Sequence, residues 1–96
     1  MTAKITRYSM PGGKSEFSKT KTFTDETVPK GLLAGHALAE GVWGKLHVVS
    51  GTLKLVFEGA PEVFEINEGG NFDIPPIERH HVKIAGPVSF YVTFYK

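Results

Sequence analysis

The 96-residue sequence contains no cysteine, and this absence excludes several kinds of chemistry. Without thiols the chain has no disulfide bond, no thiolate nucleophile and no cysteine-ligated zinc. Any metal ion must therefore be held by histidine nitrogen and carboxylate oxygen atoms. Four histidines and ten acidic residues supply those two kinds of ligand.

The sequence also lacks an excess of charge of one sign. Eleven Lys and Arg residues are scattered among ten Asp and Glu residues, which gives a formal net charge of +1. A surface that attracts a phosphate backbone needs clustered positive charge, so we expect no nucleic-acid partner.

Long apolar segments are missing as well. No uninterrupted apolar run approaches the roughly 20 residues that cross a bilayer. The first seven residues, Met1 to Arg7, lack the apolar core of a signal peptide. We therefore expect a cytoplasmic protein without a membrane partner.

No segment shows sustained helical periodicity, whereas turn signals are frequent. Eleven glycines and six prolines separate short segments rich in Val, Ile, Phe, Tyr and Thr. This pattern predicts an all-β sandwich or barrel, as one domain over residues 1–96. Ser50-Gly51 is predicted to be a tight hairpin turn, and residues 25–33 to hold a short helical turn. The predicted strands are 4–9, 19–24, 46–49, 52–57, 62–66, 71–74, 80–84 and 88–95.

Strand alternation sorts the histidines, which are His36, His47, His80 and His81. In the predicted strand 80–84, His80 shares a face with Val82 and Ile84, while His81 shares the other face with Lys83. The apolar face must be the buried one. His80 is therefore predicted to point into the core and His81 to point outward.

The two earlier histidines lie in different settings. His47 alternates with Leu46 and Val48, so it is predicted to face outward. His36 follows Gly35 near the start of a strand, where the mouth of a barrel would lie. His36 and His80 would then meet across a pocket, although a core histidine with a satisfied hydrogen bond is the alternative interpretation of His80.

The residues around His80 resemble the second motif of the cupins, G-x5-P-x-G-x2-H-x3-N. Gly69, Pro75 and His80 match the motif, whereas Ile77 stands at its second glycine and Ile84 at its asparagine. The resemblance implies a cupin-like double-stranded β-helix, which is a jelly-roll barrel. It also implies that His80 occupies the metal-ligand position.

The first cupin motif, H-x-H-x3-4-E-x6-G, is only partly present. Gly51 matches its last glycine, but Gly44 stands at the glutamate and Leu38 near the second histidine. His36 alone remains near an expected ligand position. The usual site of three histidines and one glutamate is therefore absent.

A closer resemblance covers residues 22–95. The chain is similar to a small cupin family of domains like the N-terminal part of tellurite-resistance protein B, which also occur as stand-alone proteins. The residues that carry the resemblance are 23–33, His36, 40–46, 49–53, Pro76, His80, Val82 and 86–92. Some members are fused to a methyltransferase that uses S-adenosylmethionine. This chain has no glycine-rich cofactor loop, so we expect no nucleotide cofactor and no methyl transfer.

The resemblance implies that His36 and His80 form the site. Two ligands are too few for a tight zinc or iron site, which usually has three from the protein. Glu40, four residues after His36, is the predicted third ligand, with Glu78, His81 and His47 as alternatives. The predicted cofactor is a divalent zinc, nickel, copper or iron ion.

Three functions stay open at this point. The first is a module that binds a small molecule or oxyanion, with or without a metal ion, in tellurite or related stress resistance. The second is a metal-dependent oxygenase or isomerase that uses His36 and His80. The third is a structural or interaction barrel without chemistry. Trp43 shares the outward face of Lys45 and His47, where a partner subunit would cover it, so we predict a homodimer.

Overall fold

The structure is a computed structural model that describes residues 8–59 and 62–96. In chain order the elements are β1 (Glu16–Lys19), β2 (Phe23–Thr24), α1 (Lys30–Leu33), β3 (Trp43–Phe57), β4 (Glu62–Asn67), β5 (Asn71–Ile74) and β6 (His80–Tyr95). The prediction of an all-β domain is therefore confirmed. The short helical turn predicted within residues 25–33 is confirmed as α1.

The two long strands, β3 and β6, form the centre of one antiparallel sheet. The strand order is β1-β6-β3-β4, while β2 adds to β6 and β5 adds to β3. β6 pairs with β3 over almost its whole length, from Phe57↔His80 to Trp43↔Tyr95. Side chains of these two strands therefore line both faces of the sheet along its whole length.

Alternation along the strands decides which face is buried. In β3 the buried residues are Leu46 and Val48 before Ser50-Gly51 and Leu53, Leu55 and Phe57 after it, so the phase of the alternation shifts at this pair. Phe72 and Ile74 of β5 are buried in the same way, as are Val82, Val88, Phe90 and Val92 of β6. The full core consists of Phe23, Leu46, Val48, Leu53, Leu55, Phe57, Ile66, Phe72, Ile74, Val82, Val88, Phe90 and Val92. We call the side that carries this core the inner face, and the opposite side the outer face.

The predicted hairpin turn at Ser50-Gly51 is wrong, because β3 runs through it as one strand. The pairing of β3 with β6 shifts between Val48 and Ser50 and again between Gly51 and Leu53. Gly51 has a φ of 77°, which glycine adopts without a steric penalty. A Cβ atom there would clash with the carbonyl oxygen of Pro87. The Ser-Gly pair therefore serves an irregularity within a long strand pair rather than a reversal of the chain.

The remaining strand predictions have mixed outcomes. Strands 62–66 and 71–74 are confirmed as β4 and β5, and the two predicted strands 80–84 and 88–95 are one strand, β6. The predicted strand 19–24 is divided between β1 and β2. Most of the predicted strand 4–9 lies outside the described residues. In the part of the chain that is described, no helix is long and apolar enough to cross a membrane.

Candidate functional site

Backbone pairing brings two of the four histidines together. The amide of His36 donates to the carbonyl of His80 at 2.9 Å, and the amide of His80 donates to the carbonyl of His36 at 2.8 Å. This isolated antiparallel bridge attaches the segment before β3 to the first residue of β6. The predicted meeting of His36 and His80 is therefore present in the fold.

The two imidazole rings are in edge-to-face contact. Their centroids lie 4.3 Å apart with an angle of 61° between the ring planes. His80 is only 2% exposed, as strand alternation predicts, and His36 is partly exposed. The pair thus extends from the buried inner face to the protein surface.

Each ring has one nitrogen fixed by the backbone. Nδ1 of His80 lies 2.8 Å from the carbonyl oxygen of Glu78, and Nδ1 of His36 lies 3.1 Å from that of Ala34. A carbonyl oxygen only accepts hydrogen bonds, so each Nδ1 must carry the hydrogen. In the neutral state, both Nε2 atoms therefore keep a lone pair.

Aromatic side chains surround the buried ring. The Phe57 ring lies 5.7 Å from the His80 ring, and Phe57 also contacts Tyr8 at 5.1 Å, Phe72 at 5.8 Å and Phe64 at 6.0 Å between centroids. Such side chains offer apolar surface and exclude water from the polar ring that they enclose. His80 is therefore a polar group at the end of an apolar cluster.

Burial sets the protonation of the site. Desolvation lowers the pKa of His80 below its usual value, and the nearby His36 ring acts in the same direction. The carbonyl of Glu78 and the carboxylate of Glu58 oppose this effect. His80 is therefore neutral at pH 7. Burial, and secondarily the charge of Glu78, raises the pKa of Tyr8, so its hydroxyl group is protonated at pH 7 as well.

A charged cluster lies next to the histidine pair. Glu58 accepts a hydrogen bond from Nδ1 of His81 at 2.8 Å and pairs with Nε of Arg79 at 3.5 Å. The bond from His81 is the main reason that the pKa of Glu58 is lowered, and the charge of Arg79 adds to it. Nη2 of Arg79 also donates to the carbonyl of Gly35 at 2.7 Å. This cluster holds the segment that leads into His36 against the beginning of β6.

The predicted third metal ligand does not join the pair. Glu40 is exposed in the turn that precedes Val42. Among residues 8–59 and 62–96, no three His, Cys, Asp or Glu side chains are grouped so that they could hold a metal ion. The described residues supply two imidazoles at this place, and the role of Glu40 stays a prediction.

The fourth histidine lies on the outer face. His47 stacks on Tyr91 with 4.6 Å between ring centroids and 13° between planes. Its Nε2 lies 3.1 Å from Oγ1 of Thr93, and Thr93 is only 4% exposed. Lys45, the neighbour on the same face, pairs with Asp73 at 3.6 Å. His47 faces away from the core as predicted, but it is half-buried rather than free in solvent.

An open depression of about 410 Å³ lies away from the histidines. It follows the irregular middle of the strand pair, and its lining consists of Gly51, Thr52, Lys54, Glu65, Ala85, Gly86 and Pro87. None of the four histidines lines it. We assign the site to the histidine pair because the chemistry lies there, and an open concavity alone does not define a ligand site.

Sequence reasoning missed several neighbours of the pair. The carbonyls of Glu78 and Ala34 fix the rings, and backbone acceptors leave no signature in the side-chain pattern. Tyr8 comes from a segment that pairs with no neighbouring strand in the described chain. Glu58 follows directly after Phe57, the last residue of β3. Its position at a strand end is the one sequence signal that would have indicated Glu58 as a neighbour of the pair.

These features define a small all-β domain with a histidine pair that extends from the inner face to the protein surface. Residues 18–92 match the model of the TehB-like domain, and the chain belongs to this family. No curated protein matches the chain.

Three solved structures share the fold. A structural-genomics crystal structure of an Escherichia coli K12 protein has a TM-score of 0.85 and 21% identity, over 93% of this chain and 96% of that one. TehB from Haemophilus influenzae has a TM-score of 0.75 and 24% identity, over 90% of this chain and 32% of that one. A Neisseria meningitidis protein has a TM-score of 0.59 and 13% identity, over 93% and 89%. The chain thus corresponds to about a third of TehB. At these low sequence identities, the three structures show a shared fold and nothing about function.

Proposed function

We propose that this protein is a cupin-like jelly-roll module that binds a divalent metal ion or a small ligand at His36 and His80. One observation supports the proposal above the others. Both rings donate through Nδ1 to backbone carbonyls, so both Nε2 atoms offer a lone pair from a fixed orientation. Histidines that bind metals commonly have this arrangement, because the outer hydrogen bond fixes the tautomer and the ring orientation.

The donor set suits some metals better than others. Two neutral imidazoles are suitable ligands for zinc, copper, nickel and iron, and are less suitable for magnesium or calcium. A tight site needs at least one more ligand, which Glu40, a water molecule or the bound small molecule would supply. We therefore expect moderate affinity and an open coordination position.

The same geometry discriminates among small ligands. An oxyanion needs hydrogen-bond donors, but both Nδ1–H groups already donate to carbonyls, and Nε2 carries no hydrogen in the neutral ring. Burial lowers the pKa of His80 and so opposes the second protonation that an oxyanion would require. A ligand that donates a hydrogen bond, or accepts a lone pair as a metal does, fits better than tellurite or another oxyanion alone.

The proposal also includes a biological role, a cellular compartment and an oligomeric state. The family takes its name from TehB, whose sequence is about three times as long as this chain, and the predicted role in tellurite or related stress resistance is proposed on that kinship. We expect a cytoplasmic homodimer without a nucleic-acid or membrane partner. A metal-dependent oxygenase or isomerase is the alternative function, and it requires the same two histidines.

Metal titration of the protein, after treatment with a chelator, tests the proposal. Zinc, nickel, copper and ferrous ions are added separately and binding is followed by calorimetry, with His36→Ala and His80→Phe as the test variants. His80→Phe keeps an aromatic ring of similar size in the core. We expect at least a 100-fold loss of affinity in both variants, since even outer-shell partners of a metal ligand are worth about 10–100-fold.

His47 provides a matched control. His47→Ala removes an imidazole from the outer face and should leave the affinity within about threefold of the original. Equal binding by all three variants, or no binding by the original protein, would contradict the proposal and favour a structural domain without chemistry. Sedimentation that gives only monomers at micromolar concentration would contradict the homodimer.

A further inference from the structure

Ile77 has an unusual backbone conformation just before the site. Its φ is 59°, and in the described chain it is the only residue other than glycine with a positive φ. The amide of Glu78 donates to the carbonyl of Pro76 at 2.8 Å, which closes a three-residue turn around Ile77. Turns of this γ type with positive φ are rare and strained, and a β-branched side chain makes them more costly.

The side chain of Ile77 does not compensate for this cost by packing. It is 65% exposed, the largest value among the exposed large apolar residues of the described chain. The contact that the structure gives Ile77 is a backbone one: its amide donates a hydrogen bond to the carbonyl of Leu38 at 2.9 Å. Glycine would adopt the same φ without strain, and glycine is the residue of the cupin motif at this position.

The strained turn leads directly to the group that holds His80. Glu78, the residue after Ile77, provides the carbonyl oxygen that accepts the hydrogen of Nδ1. The residues beyond Glu78 are fixed by other bonds: the carbonyl of Arg79 accepts from Glu58 at 3.0 Å, and His80 is bridged to His36. The Glu78 carbonyl therefore lies between these fixed residues and the turn at Ile77, and the turn is its strained side.

We infer that Ile77 is a positioning residue for His80, and that its strained turn makes the hold of the Glu78 carbonyl on Nδ1 easy to release. Opening of the turn lets φ return to negative values, turns the Glu78 carbonyl away and frees Nδ1–H. The ring of His80 then exchanges between tautomers and no longer presents Nε2 in one fixed orientation. The tautomer itself depends only on this geometry, whereas any consequence for metal or ligand binding rests on the proposed function.

Substitutions at Ile77 that differ in their tolerance of positive φ test the inference. Asn and Gly adopt the left-handed conformation readily, and Val keeps the β-branched strain. In Ile77→Asn and Ile77→Gly we expect the hydrogen exchange of the Glu78 amide to slow by about 5–30-fold, because relief of a strain of this size changes an opening equilibrium by that factor. The thermal midpoint should rise by about 4–8 °C. Ile77→Val should leave both quantities unchanged.

A second measurement separates positioning from simple stabilisation. The ¹⁵N shifts of the His80 ring, recorded at a pH where the ring is neutral, should move toward the pure Nδ1–H form in Ile77→Asn, while those of His47 stay constant. Ile77→Pro, which forbids positive φ, should give a mixture of tautomers at His80 if it folds.

Three results would overturn the inference. The first is an unchanged thermal midpoint in Ile77→Asn and Ile77→Gly, and the second is unchanged hydrogen exchange of the Glu78 amide in these variants. The third is a raised thermal midpoint with unchanged ¹⁵N shifts of the His80 ring, which would show that Ile77 has a structural role only. Zinc titration of Ile77→Asn keeps the two proposals apart. If the hydrogen exchange of the Glu78 amide and the ¹⁵N shifts of the His80 ring change as expected but zinc does not bind, the inference holds and the proposed metal function fails.

Discussion

His80 on the inner face and His47 on the outer face have pKa values that burial lowers below the usual value, yet their hydrogen bonds differ. His80 donates from Nδ1 to a carbonyl oxygen, which accepts only. His47 uses Nε2 toward the hydroxyl of Thr93, which donates or accepts. While the Glu78 carbonyl holds Nδ1, the backbone therefore selects one tautomer of His80, whereas His47 and Thr93 are able to exchange their roles.

The neighbours of the two rings differ in the same sense. His80 lies among Phe57 and the other aromatic residues of the core, with a second imidazole as its polar neighbour. His47 stacks on Tyr91 and is influenced by several charges, of which that of Lys45 is the strongest. Burial thus has two effects on this sheet. On the inner face the buried ring is oriented by the Glu78 carbonyl so that Nε2 keeps its lone pair. On the outer face the half-buried ring belongs to a polar network with Thr93.

The largest expected effect is on stability. We expect His80→Ala to lower the free energy of unfolding by about 3 kcal/mol, because it leaves a cavity in the core and an unsatisfied Glu78 carbonyl. His47→Ala should cost about 1 kcal/mol, since that ring is only half-buried. Urea denaturation at pH 7.5 measures both. Equal losses would mean that the inner site has no special packing.

The second expectation concerns pH. A histidine with a lowered pKa in the folded state binds fewer protons than the unfolded chain, so stability is highest above the unfolded pKa of about 6.5 and falls as pH decreases toward the folded pKa. Each such ring contributes a slope of at most about 1.4 kcal/mol per pH unit.

Urea denaturation between pH 7.5 and pH 5.5 measures this slope. His47→Gln should reduce it and His80→Phe should reduce it further, because burial is the main cause of the pKa change and His80 is the more buried ring. A slope that neither substitution alters would assign the pH dependence to other groups.

A smaller effect is expected from the network on the outer face. Thr93→Val keeps the shape of a buried side chain but removes the hydroxyl that bonds His47 and the carbonyl of Lys45. We expect a loss of about 1 kcal/mol in the free energy of unfolding. Thr52→Val provides the control, because the hydroxyl of Thr52 bonds Asn67 at an exposed position and its loss should cost less than about 0.5 kcal/mol. An equal or larger loss in the control would show that the buried hydroxyl group of Thr93 has no special role in stability.

The smallest effect is expected from Lys45→Met. Removal of the ammonium group should raise the pKa of His47, because the charge of Lys45 is one of the causes that lower it. The ion pair of Lys45 with Asp73 is partly exposed, so stability should change by less than about 1 kcal/mol. NMR titration of the His47 ring measures the shift. Lys83→Met, on the same strand pair but not among the groups that act on His47, should leave it unchanged.

Strand alternation predicted the faces correctly because side-chain direction is a local property. His80 and Val82 point inward, and His47 and His81 point outward, since the period of two holds along each regular stretch of strand. In β3 the phase of the alternation changes at Ser50-Gly51. The meeting of His36 and His80 was anticipated from the position of His36 near the start of a strand and the inward face of His80, and the resembled motifs then supported it.

Other features depend on contacts between distant segments, and local patterns do not contain them. Ser50-Gly51 has the composition of a hairpin turn, and only the close approach of Pro87 makes Gly51 part of an irregular strand. The positive φ of Ile77 contradicts the preference of a β-branched residue, although Ile77 occupies a glycine position of the resembled motif, and glycine is typical of positive φ. The carbonyls that fix the rings of His36 and His80 have no signature in the sequence at all.

The position of β6 has a consequence for how the protein reaches its fold. β1, β2 and β3 all pair with this strand, and β6 follows all three of them in the chain. At about 5–20 residues per second, β3 remains on the ribosome for seconds with an apolar face and no central partner. Pairings between such distant segments also form slowly, on a scale of about milliseconds to seconds. This sheet therefore forms only after β6 has been synthesised, and chaperones that shield nascent apolar strands are able to bind β3 in that interval.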